Sequence, residues 1–282
     1  MIGRLAMPVI STNVNANNAL YNVNQNSAAS GTFLAQLASG SRINKASDDA
    51  AGLAIGAQLQ SNVVILNQAA VNASQAVSIL QIADGGLTVI GNIITRLQVL
   101  ATEAASGNVS NTQRSLDINT EFTTLVSEID IIAAGTRYAG VSVLNSASAF
   151  TTNVSFIIGT TVNDVISVSM TAVGSSQLLL STANVITQSS ASSAVSVLTS
   201  ALNTITKQRA QVGANESQFN FQTQDIGTNI TNISAATSTI MDADVAAAKS
   251  SLSAADVKYQ ASIAALAQAA KMPQELLSLI QA

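Results

Sequence analysis

Side chains that commonly do chemistry are scarce in this sequence of 282 residues, which contains neither His nor Cys. Without them the chain lacks the usual general base, the usual zinc ligands and the thiolate nucleophile of many enzymes. A nucleophilic Ser needs a positioned base, and no Lys follows a Ser at the Ser-x-x-Lys spacing that some hydrolases use. The sequence therefore predicts that the protein is not an enzyme.

Two pairs of carboxylates remain as candidate cation ligands, Asp48 with Asp49 and Asp242 with Asp244. A calcium site takes about six to eight oxygen ligands from a looped spacing, and neither pair has such a surrounding. Both pairs suit the first turn of a helix, because the N-terminal end of the helix dipole favours negative charge. We therefore interpret them as helix starts and expect no metal and no cofactor.

The composition favours association with other chains. Only 9% of the residues are charged and 48% are hydrophobic, which leaves the surface poorly protected against association. Such a surface is typical of a polymer subunit or a permanent oligomer, although a compact Ala-rich helical bundle would have the same composition. The formal net charge of −4 offers no basic surface for nucleic acid, so we expect no nucleic-acid partner.

Targeting and membrane signals are weak. The start of the chain has too short an apolar run for a cleaved secretory signal peptide. Elsewhere Asp84, Arg96 or Gln residues interrupt the apolar runs within less than a bilayer span, so we expect no membrane insertion.

Helical periodicity dominates both halves of the chain, and the two prolines, Pro8 and Pro273, lie near its ends. Apolar residues at spacings of three and four predict helices over residues 12–39, 48–105 and 111–134. Gly40 is a suitable C-terminal stop for the first helix, and Ser47, Asp48 and Asp49 are suitable starting residues for the second.

The pattern changes after residue 141. Apolar residues alternate with Ser over 154–158 and 166–170, which predicts a β-hairpin that turns at residues 159–164. From residue 195 a heptad pattern returns and predicts a coiled-coil helix. Its expected intrachain seam consists of Leu198, Leu202, Ile205, Arg209, Val212, Glu216, Phe219, Ile226, Ile230 and Ile233. The polar members Arg209 and Glu216 are expected to fix the register at some cost in stability.

Residues 39–55 join the first two helices through the run Ser-Gly-Ser-Arg-Ile-Asn-Lys-Ala-Ser-Asp-Asp-Ala-Ala-Gly-Leu-Ala-Ile. This run resembles the signature of bacterial flagellins. The similarity continues in Ile-Ser-Thr-Asn at residues 10–13 and in Met-Pro-Gln-Glu-Leu-Leu-Ser-Leu at residues 272–279. On this resemblance at both ends, the chain is identified as a short member of the flagellin family with almost no outer domain.

The resemblance implies a mainly α fold, an elongated antiparallel helical bundle or coiled coil with a small β-hairpin, in which the N- and C-terminal helices pair. It implies that residues 1–46 and 241–282 form the two helices of the filament core. Residues 47–173, with the hairpin at about 141–173, and residues 194–240 would form the bundle domain. Residues 174–193 would be a short outward-facing linker in place of the variable outer domain. The terminal helices are expected to become ordered only on assembly.

The function implied by the resemblance is that of a structural subunit, which polymerises into the flagellar filament for swimming motility. The expected self-assembly interface consists of Leu20, Val23, Leu34, Leu37, Arg42, Asn44, Asp48, Asp49, Leu252, Leu266, Leu276 and Leu279. Arg96, Leu100 and Glu121 would lie on the surface that an innate Toll-like receptor binds and that neighbouring protofilaments bury. A contact between subunits is the favoured interpretation of these three residues, because Thr95, Gln98 and Val99 depart from the pattern of well-recognised flagellins.

Besides copies of itself, the implied partners are hook-associated junction and cap proteins, a flagellar export chaperone and the Toll-like receptor. The implied location is the secreted flagellar filament, reached without a cleaved signal peptide. Two alternatives remain. A hook–filament junction protein shares the terminal helices, and a helical secretion-system translocator or surface adhesin would need a long apolar hairpin or an aromatic-lined groove. Aromatic residues make up only 3% of the chain, which disfavours such a groove.

Overall fold

Long helices account for most of the protein, as its mainly α pattern predicted. The computed structural model describes residues 12–281, apart from the side chains of residues 149 and 276–281. The expectation about a signal peptide concerns residues 1–8, which lie outside the described residues. The helices are α1 (Val14–Ser39), α2 (Ala50–Ala105), α3 (Asn111–Gln113), α4 (Asn119–Gly135), α5 (Gln188–Met241) and α6 (Val245–Gln281). The strands are β1 (Arg137–Tyr138), β2 (Val141–Ser142), β3 (Val154–Ile157) and β4 (Val165–Val168).

Contacts divide the chain into two units. The terminal unit contains the residues up to Ser61 together with those from Ile233 onward, and the central unit contains Asn62–Asn232. The start of α2 and the end of α5 thus belong to the terminal unit. The division predicted from the family resemblance, at residues 46/47 and 240/241, stays a prediction.

Within the central unit, α2 and α5 run antiparallel. Gln188 at the start of α5 donates from Nε2 to the carbonyl of Ala105 at the end of α2, at 3.0 Å. Further along, Gln98 donates to Thr199 Oγ1 at 3.4 Å. Residue numbers therefore increase along α2 in the direction in which they decrease along α5.

The seam between α2 and α5 follows a spacing of three and four residues on both helices, which is the heptad pattern of a coiled coil. On α2 the buried stripe is Leu66, Ala69, Ala73, Ala76, Leu80, Ala83, Leu87, Ile90, Ile94, Leu97, Ala101 and Ala104. On α5 it is Ala191, Ala194, Leu198, Ala201, Ile205, Gln208, Val212, Asn215, Phe219 and Ile226.

Three of the ten predicted seam residues on α5 are therefore corrected. Leu202 and Glu216 are half-buried and Arg209 is exposed, while Ala201, Gln208 and Asn215 are buried in their place. Residues three and four positions after a seam residue both lie close to the stripe, so either set can be buried, and the structure buries the uncharged residues at the third position. The larger or charged side chains at the fourth position are thus turned to its flank. The predicted members Ile230 and Ile233 are half-buried.

By length and composition alone, α2 could cross a membrane. Its most apolar window of 18 residues has a mean hydropathy of 1.5, and 33% of that window is buried inside the protein. Core helices of proteins outside membranes meet the same criterion, so the finding is weak evidence. The expectation of no membrane insertion stays a prediction.

The predicted helix over residues 111–134 is interrupted near its start. A π-helical turn, Arg114–Ile118, separates α3 from α4. The guanidinium of Arg114 is buried and donates from Nη2 to the carbonyl of Ser106 at 2.6 Å and from Nη1 to Asn111 Oδ1 at 2.9 Å. It therefore supplies donors to backbone that follows the end of α2, where helix carbonyls lack partners.

Strands β3 and β4 form the predicted antiparallel hairpin, with Val154 opposite Val168 and Ile157 opposite Val165. Its inner face carries Phe156, whose ring meets that of Phe219 on α5 edge-on with centroids 5.6 Å apart. A second hairpin, β1 with β2, was not predicted. Its two-residue turn has positive φ at Ala139 (48°) and Gly140 (84°), the geometry that suits tight hairpins.

The structure corrects the end of the expected linker over 174–193, whose outward orientation stays a prediction. Residues from Gln188 already belong to α5, and Leu178, Leu180 and Val185 are buried in the central unit. The Asp130 carboxylate on α4 accepts bonds from the backbone N and the hydroxyl of Ser175, each at 2.7 Å. Apolar burial and this bond fold much of the segment onto the central unit.

In the terminal unit, α1 and α6 pair in antiparallel orientation, which confirms the predicted pairing of the terminal helices. Asn13 donates to the carbonyl of Ala269 at 2.7 Å, and the Ser30 hydroxyl donates to Asp256 Oδ1 at 2.6 Å. α1 ends at Gly40, as predicted, and this residue has the left-handed conformation (φ 70°) that favours glycine at a helix C-cap.

Candidate assembly surfaces

α1 presents apolar side chains away from α6. The helix has no charged residue and no fully buried residue among Val14–Ser39. Its half-buried stripe toward α6 is Ala16, Ala19, Val23, Asn26, Ser30, Phe33 and Leu37. Two predicted interface residues, Leu20 (47% exposed) and Leu34 (58%), lie outside this stripe. The other two on α1, Val23 and Leu37, belong to the stripe itself.

α6 divides its apolar residues in the same way. The predicted interface residues Leu252 (8% exposed) and Leu266 (half-buried) lie on the stripe that runs along the paired helices. They are therefore corrected to intrachain packing residues. The side chains of Leu276 and Leu279 lie outside the described residues. Large apolar side chains that sequence reasoning missed are exposed on α6 at Val245, Val257, Ile263 and Met272.

The linker between α1 and α2 binds the end of α5 in the terminal unit. Arg42 donates from Nη2 and Nε to the carbonyl of Ile240, at 2.8 and 3.2 Å, and its backbone N donates to Met241 O at 2.7 Å. The return bond runs from Ala243 N to Gly40 O at 2.9 Å. A cation that holds the last carbonyls of a helix stabilises the C-terminal end of its dipole.

The remaining predicted linker residues also bind within the chain. Asp48 Oδ2 accepts from the backbone N of Asn44 at 3.1 Å and of Lys45 at 2.9 Å. Asp49 Oδ1 accepts from Gly52 N at 2.8 Å and so caps α2, which begins at Ala50. Each of these four residues thus has an intrachain role, and the expectation that Arg42, Asn44, Asp48 and Asp49 also contact other subunits stays a prediction.

The predicted receptor or protofilament surface is only partly accessible. Arg96 on α2 donates from Nε and Nη2 to Glu121 Oε1 on α4, at 2.8 and 2.6 Å, and both side chains are largely exposed. Leu100 is 2% exposed and packs in the core, so its assignment to that surface is wrong. In the sequence, Leu100 follows Leu97 by three residues and continues the apolar spacing of α2, which is the signal that could have excluded it.

A second ion pair joins α2 to α5. Arg209 donates from Nε to Asp84 Oδ1 at 2.7 Å and from Nη2 to Asp84 Oδ2 at 3.2 Å. This bonding to Asp84 raises the pKa of Arg209, against the lowering effect of burial. Partial burial first, and the negative charge of Asp84 second, raise the pKa of Glu216. The arrangement serves packing between helices. Across the part of the chain that the structure describes, no three acidic side chains converge as a metal site would require.

Known proteins resemble this chain over most of its length. The family model for the bacterial flagellin N-terminal helical region matches residues 10–149, and that for the C-terminal helical region matches residues 195–280. The flagellar filament 30.7 kDa core protein of Treponema maltophilum is 33% identical over 87% of this chain and 90% of its own length. The flagellin of Halalkalibacterium halodurans is 30% identical over 97% of this chain and its own full length.

Among solved structures, Bacillus cereus flagellin matches 59% of this chain and 94% of its own, with a TM-score of 0.49 and 26% identity. The two family models and the relatives at 30% identity or more span most of the sequence, including both ends. The chain therefore belongs to the bacterial flagellin family and is a structural subunit of the flagellar filament.

Proposed function

We propose that the chain polymerises with copies of itself through the outward faces of α1 and α6. The observation that carries this proposal is the set of large apolar side chains that the α1–α6 pair leaves exposed. On α1 and α6 they include Leu20, Tyr21, Leu34, Val257 and Ile263. Full burial of one such side chain contributes about 1.5–3 kcal/mol.

The absence of charged residues on α1 also supports burial of its outward face between subunits. α1 carries no charged residue over Val14–Ser39, so no desolvation of charge opposes the burial of its outward side. The stripe between α1 and α6 contains Ala, Asn and Ser at many positions, so the pair alone buries few large side chains. Contacts with further copies supply the missing burial, which is the usual source of stability for long helices of this kind.

Electron microscopy of two variants at one position tests the proposal. Leu34→Glu places a charge on the outward face of α1, and Leu34→Met keeps the face apolar with a similar volume. We expect the parent and Leu34→Met to form long filaments under seeded polymerisation, and Leu34→Glu to remain monomeric with unchanged helix content. Normal filaments from Leu34→Glu would contradict the assignment of this face to the interface.

The Arg96–Glu121 pair is a second contact between subunits in this proposal. Two observations support this contact. Both side chains are exposed, and their hydrogen bond holds a guanidinium on α2 next to a carboxylate on α4. Recognition by a Toll-like receptor is the other use of this surface. With Leu100 buried, the paired charges would have to carry that recognition.

The further partners in this proposal are hook-associated junction and cap proteins, which would meet the same terminal helices at the filament ends, and an export chaperone. The homologues place the protein in the flagellar filament, an extracellular structure, and export without a cleaved signal peptide is the finer part of the proposal. The chain catalyses no reaction in this account. Two facts support the proposal that the chain is not an enzyme: its sequence contains no His and no Cys, and its family is one of structural proteins.

A further inference from the structure

The apolar seam between α2 and α5 specifies their alignment weakly. Every seventh residue of α5 at the main seam position is apolar, in the order Leu198, Ile205, Val212, Phe219 and Ile226. If α5 moved along α2 by one heptad, each apolar residue would be replaced by another apolar residue. Apolar burial is therefore similar in the native register and in a register shifted by seven residues. The two registers differ in burial only through the shapes of the side chains that meet.

The buried polar residues of the seam do not resolve this ambiguity. Gln208 and Asn215 are both buried amides and lie seven residues apart, so the same shift replaces one by the other. Within the described residues, Nε2 of Gln208 is buried without a hydrogen-bond partner. This donor makes no bond that would fix the native register.

Charges at the flank of the seam do distinguish the two registers. In the native alignment, Asp84 faces Arg209 through two hydrogen bonds, at 2.7 and 3.2 Å. Glu216 follows Arg209 by seven residues and so has the same heptad position. A shift by one heptad would bring Glu216 to Asp84 and place two carboxylates together. The opposite shift would bring Leu202 there and leave the carboxylate of Asp84 without its cation.

We propose that the charge triad of Asp84, Arg209 and Glu216 sets the register of α5 on α2, by attraction in the native alignment and repulsion in the shifted one. This role concerns the folding of a single chain, so it goes beyond the proposed polymerisation and does not depend on it. It follows the use of flanking charges in coiled coils, where repulsion in the wrong alignment gives specificity.

Two further observations support the triad. Glu216 already feels the charge of Asp84 in the native register, since that charge contributes to its raised pKa. The ionised Glu216 thus costs the native fold some stability, as expected for a residue retained to exclude an alternative. The ring pair of Phe156 and Phe219 adds a constraint of shape, because the shift would bring Ile226 to Phe156.

Engineered disulfides can report each register, because the natural chain has no Cys. Gln98→Cys with Thr199→Cys reports the native register, in which the two natural side chains are 3.4 Å apart. Gln98→Cys with Thr206→Cys reports the shifted register, since Thr206 follows Thr199 by seven residues. In the native register this second pair is displaced by about 10 Å along the helix, which is too far for a disulfide.

Asp84→Arg is the decisive substitution. It makes the native register repulsive at Arg209 and the shifted register attractive at Glu216. We expect the yield of the shifted disulfide, divided by the yield of the native disulfide in the matching Cys pair, to rise about fivefold or more over the same ratio in the parent background. The control Glu128→Arg introduces the same charge change at an exposed site on α4 and is expected to leave the ratio unchanged.

Inversion of all three charges keeps the test decisive if Asp84→Arg alone fails to fold. Asp84→Arg with Arg209→Glu and Glu216→Arg restores attraction in the native register and repulsion in the shifted one. We expect this variant to recover the helix content of the parent and to form only the native disulfide. The proposal is overturned if Asp84→Arg folds with the native disulfide alone, or if the inverted triad fails to restore the native product.

Discussion

Truncation of Phe219 tests the central helix seam most sharply, because a matched residue lies two positions away. Phe219 is 0% exposed, and its ring packs against Phe156 at an interplanar angle of 88°. Phe219→Ala should cost about 3–5 kcal/mol through lost burial and the cavity left behind. Part of this loss is the edge-to-face ring contact, since such pairs contribute about 0.5–1.5 kcal/mol.

For a unit of this size, about 1 kcal/mol lowers Tm by roughly 2–4 °C, so we expect a fall of about 6–20 °C in the main helical transition. Phe221 is 72% exposed, and Phe221→Ala should change stability by no more than about 0.5 kcal/mol. Thermal and urea unfolding of the monomer, followed by far-ultraviolet circular dichroism, measure both variants. Equal losses, or a larger loss for Phe221→Ala, would refute the stated rotation of α5 against α2.

Two further predictions concern charge and glycine. Burial and then the charge of Asp84 raise the pKa of Glu216, so the folded state binds its proton more tightly than the unfolded state and ionisation opposes folding. Glu216→Gln should therefore be more stable than the parent at pH 7, and this advantage should shrink in urea titrations as the pH falls through the raised pKa; a constant difference would contradict it. The Cβ of Gly31→Ala in α1 would meet no atom within 4 Å, so this substitution should gain about 0.5–1 kcal/mol of helix stability. A Cβ at Gly56 would lie 2.7 Å from Met241 Cγ, so Gly56→Ala should destabilise the terminal unit. Hydrogen exchange of the two variants as monomers should change protection in opposite directions, and a shared sign would contradict the packing at residue 56.

Periodicity was sufficient to predict the long helices and the hairpin. A spacing of three and four over tens of residues, with no proline between residues 9 and 272, specifies long helices that begin and end close to the predicted residues. The end of α1 at Gly40 and the alternation that defines β3 and β4 are likewise local properties. The two-residue strands β1 and β2 were missed because a pattern of period two needs more residues to be visible.

Placement around a helix was harder to predict than the helix itself. On α5 the sequence favoured Leu202 over Ala201 for the seam because Leu is more apolar, yet the structure buries the small residue and the amide of Gln208. Which of two adjacent positions is buried depends on how α5 is rotated against the rest of the central unit, and no single-helix pattern contains that rotation. The burial of Leu178 and Leu180 was missed because a short Ser- and Leu-rich segment has no helical or strand period.

The roles of charged residues depended on partners far away in sequence. The sequence did not predict that the guanidinium of Arg42 binds the carbonyl of Ile240, which is 198 residues away. Asp84 and Arg209 are 125 residues apart and meet only because α2 and α5 are antiparallel. Exposed apolar residues such as Val257 were missed, because on α6 the sequence alone does not separate the side that faces α1 from the opposite side.

The central claim is that the outward face of α1 becomes buried when the chain polymerises, and thiol accessibility tests it most directly. Leu34→Cys would be the single thiol of a chain without natural Cys. The measurement is its rate of reaction with a maleimide in monomers, in filaments and in monomers recovered from those filaments. The account predicts rapid labelling in both monomer samples and strong protection in filaments. Equal labelling rates in monomers and filaments, with filaments confirmed by electron microscopy, would contradict it.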